Sequence, residues 1–446
     1  YAQHLYQRPE VHIKVTDGRS FVRNTPQRFD VVQMTLVDTW ASTAAGAFAL
    51  SENNLYTTEA FQEYFQHLTP EGMIAVTRWE FRQPREALRV VSVAMEALHR
   101  LGVADTSRHF IVVSEGDLNE DGIPVVVLAK RSPFTAAEEN QVSAHLAKYP
   151  KLAALYLPSQ PGDNPFSKLI ASNDAKAFSR SYAYDVTPVT DNAPFFFFTL
   201  KAREFLKAAS FQHAIDWKVN LGVAILAVLL GVSIGAVLLF LIGPMLVRGL
   251  VPGERPARLL YFVAIGLGYV LVEIALIQRF VLFLGHPTYA LTVVIFLLLL
   301  SSGVGSLLSR ELRRILPAGF ALLLIAALIF CLVAVLPPIL QALVGLSLIT
   351  KLAISGILMV PLGLLMGMPF PAGLQALVEG GRNSAENLVE WAWAVNAAST
   401  VLGSVLAMVF AIAFGLNFTL FGGAIAYLCA LALLSTLRPV SAAHPA

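Results

Sequence analysis

Two aspartates near the start of the chain follow apolar runs, in a pattern that could position polar groups for binding or catalysis. Residues 11–15 alternate apolar and polar side chains before Asp17, and residues 29–37 form a second apolar run before Asp38. Such runs predict two strands of a parallel sheet. Because ligands of open α/β sheets bind beyond the carboxyl ends of the strands, both aspartates are candidate ligand-binding residues. Two turn aspartates without a ligand are the alternative interpretation.

Three segments resemble a known family. They read VTDGRSF at residues 15–21, FDVVQMTLVD at residues 29–38 and LYTTEAFQEYFQHLTPEG at residues 55–72. These segments resemble the spermidine synthase domain. The whole chain is similar to bacterial membrane-embedded spermidine synthase-like proteins, in which this domain is fused to transporter-like helices. The resemblance implies a nucleoside-binding α/β fold of the Rossmann-like methyltransferase and spermidine synthase type, followed by an all-α polytopic membrane domain.

The resemblance also implies roles for particular residues. Asp17 and Gly18 would hold the adenine of decarboxylated S-adenosylmethionine or S-adenosylmethionine. The family's next strand ends D-x-x-D, where the first Asp is the catalytic base and the second helps to bind a small amine substrate. Those positions are Thr35 and Asp38 here. A threonine hydroxyl is a poor general base near neutral pH, so Thr35 argues against standard aminopropyl transfer.

Composition separates the chain into two parts. Its 446 residues predict at least two domains. The apolar fraction of 56 % and charged fraction of 14 % are unlike an ordinary soluble protein, and the apolar excess follows Lys218. With a net charge of +2 and no basic tract, no nucleic-acid partner is expected. Cys331 and Cys429 lie in apolar runs and predict neither a disulfide framework nor a metal site.

The sequence before Val11 lacks the Gly-rich turn with which a nucleoside-binding fold begins. We therefore expect a C-terminal fragment whose partner is the missing N-terminal half of the same protein. Such a fragment should bind a nucleoside donor poorly and be inactive as a transferase.

The predicted organisation is an α/β domain lacking its first strands, a linker, a transmembrane domain and a tail. These occupy residues 1–200, 201–218, 219–438 and 439–446. In the first domain we predict helices at 58–68 and 85–102, strands at 72–79, 110–114 and 124–130, a helix beginning near Ser132 and irregular structure over 150–185. The insert at residues 39–54 is either a lid over the amine site or a surface loop.

About seven helices are predicted to cross a bilayer, each near the roughly 20 residues that a span needs. They cover residues 219–243, 259–281, 288–309, 316–337, 349–369, 391–414 and 417–437. An integral protein of the bacterial inner (plasma) membrane, with the lipid bilayer as partner, is expected. Residues 187–198 (TPVTDNAPFFFF) lie between the α/β domain and the predicted spans. They predict a junction whose phenylalanines pack partly into the soluble core and partly at the membrane surface. A simple hydrophobic plug is the alternative.

Arginines occupy alternate loops. They are Arg248, Arg255, Arg258, Arg310, Arg313, Arg314, Arg382 and Arg438. The opposite loops, at 282–287, 338–348 and 415–416, contain no Lys or Arg. The positive-inside rule places the arginine side in the cytoplasm. Seven spans would then place the α/β domain outside, which conflicts with a cytoplasmic nucleoside donor, so the side of that domain stays open.

Polar residues inside spans are costly and are candidate functional residues. They are Glu273, Gln278, Arg279, His286 and Asn396. They predict either a proton- or cation-linked site between helices or a structural hydrogen bond. Under both interpretations Glu273 should point into the bundle, within reach of a polar group such as Asn396. Two function classes follow: a membrane-bound aminopropyltransferase-like enzyme, or a transporter or scaffold whose α/β domain binds or regulates without catalysis.

Overall fold

The computed structural model describes residues 4–37, 53–120, 122–201, 217–239, 243, 257–380 and 385–437. Within these residues the chain has an N-terminal mixed α/β region and a C-terminal all-helical region. The coarse two-part organisation predicted from composition is therefore confirmed.

The α/β region is built on a six-stranded sheet in the order β1-β2-β4-β3-β5-β6. The strands are β1 Phe29–Thr35, β2 Leu68–Glu80, β3 Phe110–Glu115, β4 Ile123–Lys130, β5 Leu152–Leu157 and β6 Gln160–Pro161. The first two are parallel, and every other neighbouring pair is antiparallel. Because β4 runs against both β2 and β3, the carboxyl ends of β1, β2 and β3 lie at one edge of the sheet.

Among the described residues, six α-helices belong to this region. They are α1 Gly18–Asn24, α2 Thr58–Gln66, α3 Glu86–Arg100, α4 Ala136–Leu146, α5 Pro165–Ser172 and α6 Ala175–Ser181. The predicted elements between residues 58 and 130 are thus confirmed with small shifts of their ends. The helix predicted near Ser132 begins at Ala136, where Thr135 and Glu138 form a reciprocal capping box.

The main core of the region lies between the sheet and helices α2 and α3. Alternating strand residues such as Ile74, Val76, Val125 and Val127 are buried on this face. Helix α3 is amphipathic and is buried along most of its length. The core therefore fixes the strand ends at which polar residues gather.

The strand predicted at residues 11–15 is wrong. These residues form no strand, and the side chains of Ile13 and Val15 are 62 % and 100 % exposed. A strand at residues 11–15 would have to pair with the outer side of β1. No described residue pairs there, and β1 is an edge strand. Alternation alone does not create a strand without a partner that completes the hydrogen bonds.

The irregular structure predicted for residues 150–185 is also wrong, since this segment contains β5, β6, α5 and α6. The polar residues that indicated loops are helix caps. Asn164 accepts a hydrogen bond from the Ser167 N–H, and Asp174 accepts from the N–H groups of Lys176 and Ala177.

The helical region comprises α7 Trp217–Val237, α8 Ala257–Leu284, α9 Pro287–Ile315, α10 Ala318–Leu343, α11 Leu348–Met366, α12 Pro369–Gly380, α13 Ala385–Phe414 and α14 Leu416–Leu433. Among the described residues, six helical segments are long and apolar enough to cross a membrane: Arg258–Leu284, Pro287–Leu312, Ala318–Leu343, Leu348–Glu379, Leu388–Phe414 and Leu416–Leu437. The first predicted span, 219–243, is not among them. Its described part is helical, with a shorter apolar stretch at Ile225–Val237.

Helix α8 is the centre of the bundle and packs against α13, α14 and α9. Helices α9 and α11 approach closely through small residues. A Cβ atom at Gly305 would clash with the Leu364 carbonyl oxygen, and one at Gly363 would clash with the Ser301 hydroxyl. Glycine therefore permits this contact, as expected for helices that pack in lipid.

Candidate functional site at the domain junction

Asp17 and Gly18, the residues expected to hold a nucleoside, lie at the start of α1. The Asp17 carboxylate accepts a hydrogen bond from the Ser20 N–H at 2.7 Å and so caps the helix. Its charge also attracts the ammonium of Lys351, which lies near the start of α11. The predicted binding residue therefore lies near the helical region.

Thr35 ends β1 and lies opposite Thr77 of β2, at the carboxyl edge of the parallel pair. Its side chain is exposed, and its hydroxyl accepts a hydrogen bond from the Gln33 amide at 2.8 Å. An amide donor does not increase the basicity of a hydroxyl. Asp38 and most of the following insert, residues 38–52, lie outside the described residues.

Glu80 is a second strand-end acid, at the carboxyl end of β2, and the sequence analysis did not identify it. It is fully buried and accepts hydrogen bonds from the N–H groups of Arg85, Glu86 and Leu88 at the start of α3. Burial raises the pKa of Glu80 to about 7 despite these bonds. The sequence signal for Glu80 is an acid directly after the strand predicted at residues 72–79.

Arg19 is the centre of a buried ion-pair cluster beside Asp17. Its guanidinium donates two hydrogen bonds to Glu63, both at 3.0 Å, and two to Asp191, at 2.7 and 2.8 Å. Burial alone would raise the pKa of Asp191, but the charge and hydrogen bonds of Arg19 hold that pKa below its usual value. Arg19 and Asp191 are 172 positions apart. No local sequence pattern predicts a contact between residues so far apart in the chain.

The next residue, Asn192, belongs to the helical side of the junction. Its side-chain oxygen accepts from the Arg279 guanidinium at 2.9 Å and from the Asn417 N–H at 3.0 Å. Its carbonyl oxygen accepts from the Leu416 N–H at 2.7 Å. Arg279 also donates to the Asn417 side chain. Asp191 and Asn192, adjacent in the chain, thus join the Arg19 cluster to α8 and α14.

The backbone at the α13–α14 turn allows this close contact. Gly415 has φ +88°, a left-handed conformation that side chains disfavour, and a Cβ there would lie 3.0 Å from the Asn192 carbonyl oxygen. Nearby, Phe195 packs with Ala411 and Leu416, whereas Phe196 is buried in the α/β core. Phe196 thus packs in the soluble core as predicted, and Phe195 packs against the helices; the predicted contact with the membrane surface stays a prediction.

A cavity of about 250 Å³ lies at this junction. Its polar lining includes Glu59, Asp191, Asn192, Gln278, Arg279 and Gln341. Two buried polar atoms in it, Gln278 Oε1 and Arg279 Nε, have no hydrogen-bond partner among the described residues. A buried polar group without a partner is costly, so these two atoms indicate unused binding capacity.

The structure separates the polar residues predicted to act together in the membrane. Gln278 and Arg279 line the cavity, whereas His286 caps α9 through the Thr288 N–H at 3.1 Å. Asn396 donates to the Phe262 carbonyl at 3.0 Å rather than to Glu273. Glu273 is partly buried, and among the described residues its carboxylate has no hydrogen-bond partner. The predicted partner for Glu273 is therefore not found in the described part of the chain.

The α/β region rests on one set of helix ends. Asn192 contacts the α13–α14 turn, Arg279 is near the end of α8, and Gly345 in the α10–α11 turn lies against the Asn24 side chain. These turns are the loops without Lys or Arg. Arg258 and Arg310 lie at the other ends of their helices.

A larger open groove of about 1150 Å³ lies at the carboxyl end of β3. Arg82, Glu115, Asp117 and Lys151 are in its wall. Its charges are mixed and exposed, and none of the predicted site residues lines it. The junction, rather than this groove, therefore brings the buried polar groups together.

Comparisons with models of known protein families, with curated proteins and with solved structures found no match for this chain.

Proposed function

We propose that this chain is a membrane-embedded binding protein. A spermidine synthase-like α/β domain, docked on the ends of the helices, binds a small ligand near Asp17 and regulates the helical region without group transfer. The observation that carries the proposal is the bridge formed by Asp191 and Asn192. It links the helix that begins at Asp17 to α8 and α14, so a ligand at Asp17 can shift the balance between two arrangements of the junction.

The strand arrangement supports the α/β part of the proposal. Strands β1 and β2 are parallel and connected through α2, the unit from which Rossmann-like sheets are built. Thr35 ends the first strand of this unit, where the family resemblance implies a ligand-binding edge.

The placement of charges supports a binding role over a transferase role. The α/β domain rests on the helix ends without Lys or Arg, and the positive-inside rule puts that side outside the cytoplasm. A domain on that side would be separated from cytoplasmic nucleoside donors. Thr35 is exposed and bonded to Gln33, and no described residue would make its hydroxyl a base.

The full chain in lipid nanodiscs provides the test. S-adenosylmethionine, decarboxylated S-adenosylmethionine and a short diamine are titrated by calorimetry, with hydrogen exchange measured at Leu416 and Asn417. We expect one of these ligands to bind and to change protection at the α13–α14 turn, with no aminopropylated product. Asp17→Asn should weaken binding, whereas Asp30→Asn, an exposed acid at the other end of β1, should not. Catalytic turnover by the native chain would contradict the proposal.

A second candidate is the aminopropyltransferase-like enzyme, favoured by the position of Thr35 at the carboxyl edge of the parallel pair. Under this hypothesis Thr35→Asp restores the missing base and should raise transfer by roughly 10²- to 10⁴-fold. If neither the native chain nor Thr35→Asp transfers an aminopropyl group, this candidate is excluded.

A further inference from the structure

The junction cavity is lined by one cation, Arg279, and by two acids, Glu59 and Asp191. Its two acids are already paired: Glu59 accepts from Arg100 at 2.9 Å, and Asp191 is held by Arg19. Arg279 donates to the amide oxygens of Asn192 and Asn417, which are neutral, and forms no ion pair with a carboxylate of the described residues. Arg279 is thus left without a direct ion pair, although the charge of Asp191 acts on it.

Gln278 adds a second requirement for a ligand of this cavity. Its side chain is 6 % exposed, and its amide nitrogen makes a long contact of 3.6 Å with the Met408 sulfur. Its oxygen has no donor among the described residues. A ligand that satisfies both neighbours must bring an anionic oxygen to Arg279 and a hydrogen-bond donor to Gln278.

The rest of the wall is apolar. Leu282 and Phe283 come from the end of α8, and Pro337 and Leu340 come from α10. All four lie in segments long and apolar enough to span a membrane, close to the ends on which the α/β domain rests. The polar part of the cavity therefore lies at the depth expected for lipid headgroups, with an apolar wall beside it.

We propose that this cavity is a binding site for a phosphate ester whose substituent carries an amine or hydroxyl. The phosphate oxygens pair with Arg279, whose planar guanidinium suits oxyanions, and the amine or hydroxyl donates to Gln278. A phospholipid headgroup and a soluble phosphate monoester share this chemistry. The proposal concerns a site separate from Asp17, so it stands or falls independently of the proposed function.

The lipid arm of the test uses native mass spectrometry of the full chain. The protein is exposed to equal amounts of phosphatidylethanolamine and phosphatidylcholine, which differ in that the choline headgroup has no N–H to donate. We expect retention of the ethanolamine lipid to be about tenfold stronger, the effect of one hydrogen bond to a charged group. The soluble arm titrates O-phosphoethanolamine, with inorganic phosphate for comparison, in detergent without lipid.

Three variants and one control identify the site. Gln278→Leu should abolish the preference for ethanolamine, because the headgroup loses its acceptor while the docking contacts of Arg279 remain. Gln341→Trp should block binding by filling the cavity. Arg279→Gln should weaken retention by roughly tenfold or more. Arg310→Gln removes an exposed arginine at the far helix ends and should change nothing.

Each outcome decides the proposal. Selective retention of the ethanolamine lipid, lost in Gln278→Leu and Gln341→Trp, supports a lipid ligand. Binding of O-phosphoethanolamine with the same sensitivity to these variants supports a soluble ligand. Equal retention of the two lipids together with no binding of O-phosphoethanolamine overturns it, as does binding that none of the cavity variants alters. If Arg279→Gln does not fold, Gln278→Leu and Gln341→Trp give the answer.

Discussion

The polar cluster of the α/β domain and the polar cluster at the helix ends meet at Asp191 and Asn192, but they balance charge in different ways. Arg19 is surrounded by two carboxylates and is fully paired. Arg279 is bonded to two amide oxygens, and its Nε is unpartnered. The first arrangement fits a fixed structural connection. The second leaves polar atoms available for a ligand at the surface where the α/β region and the helices meet.

Among the variants that test this comparison, Arg19→Met is expected to have the largest effect on stability. Removing the arginine takes the main counter-charge from the partly buried Asp191 and Glu63, and only the pair of Arg23 with Glu63 remains. We therefore expect a loss of roughly 3 kcal/mol or more in the unfolding free energy of the α/β domain. Chemical denaturation followed by circular dichroism measures it. Arg100→Met is the control, because its ion pairs with Glu59 and Glu96 are solvent-exposed and should contribute far less. An equal loss in both variants would contradict the structural role of Arg19.

Arg279→Met should have a smaller effect. It leaves the amide oxygens of Asn192 and Asn417 short of one donor, and neither is a charge, so about 1.5 to 3 kcal/mol is expected. The loss should appear as faster hydrogen exchange at Leu416 and Asn417, with the sheet amides unchanged. A loss as large as that of Arg19→Met would show that the two clusters are alike.

Glu80 tests whether buried charge in the α/β domain is always compensated. Its pKa of about 7 in the folded state lies above the ordinary value of 4.5, so the folded protein binds the proton more tightly than the unfolded chain. The stability from this proton is fully present below pH 4.5 and is lost as pH rises to about 7. The loss is on the order of 3 kcal/mol.

In denaturation experiments between pH 4.5 and 7.5, Glu80→Gln should flatten this dependence. Glu115→Gln, which changes an exposed acid at the end of β3, at the same edge of the sheet, should retain it. An unchanged slope in Glu80→Gln would mean that another group causes the pH dependence.

The smallest effect is expected at Glu273. Because no described hydrogen bond is lost, Glu273→Leu should change the stability of the helical region by less than about 1 kcal/mol. Asn396→Leu should cost about 1 kcal/mol or more, since the Phe262 carbonyl loses its donor. Thermal unfolding in detergent compares the two. A marked loss in Glu273→Leu would reveal a partner for this carboxylate.

Elements that depend on local pattern were predictable from the sequence. The strand beginning at Phe29, the amphipathic helix α2 and the apolar spans after residue 257 were all identified, because side-chain period and length decide them. Residues 11–15 carried the same alternation without forming a strand. Their case shows that a strand also needs a neighbour, which local pattern does not report.

The candidate site was only partly predictable. Gln278 and Arg279 were identified because charged and amide side chains are rare in membrane helices. Arg19, Asp191 and Asn192 were missed, since their importance comes from contacts between distant parts of the chain. Glu273, His286 and Asn396 share the same rarity but have no common location. The rarity of polar side chains in membrane helices therefore identifies candidate residues, and the fold determines which of them lie close together.

The adjacency of Asp191 and Asn192 makes the chain between the two regions intolerant of insertions. One residue added between them would displace one partner by roughly 3.5 Å, more than a hydrogen bond can stretch. The same addition elsewhere, in an exposed turn such as residues 117–119, would disturb neither cluster. Chimeras that exchange the α/β region should therefore keep residues 190–198 with the helices that they contact.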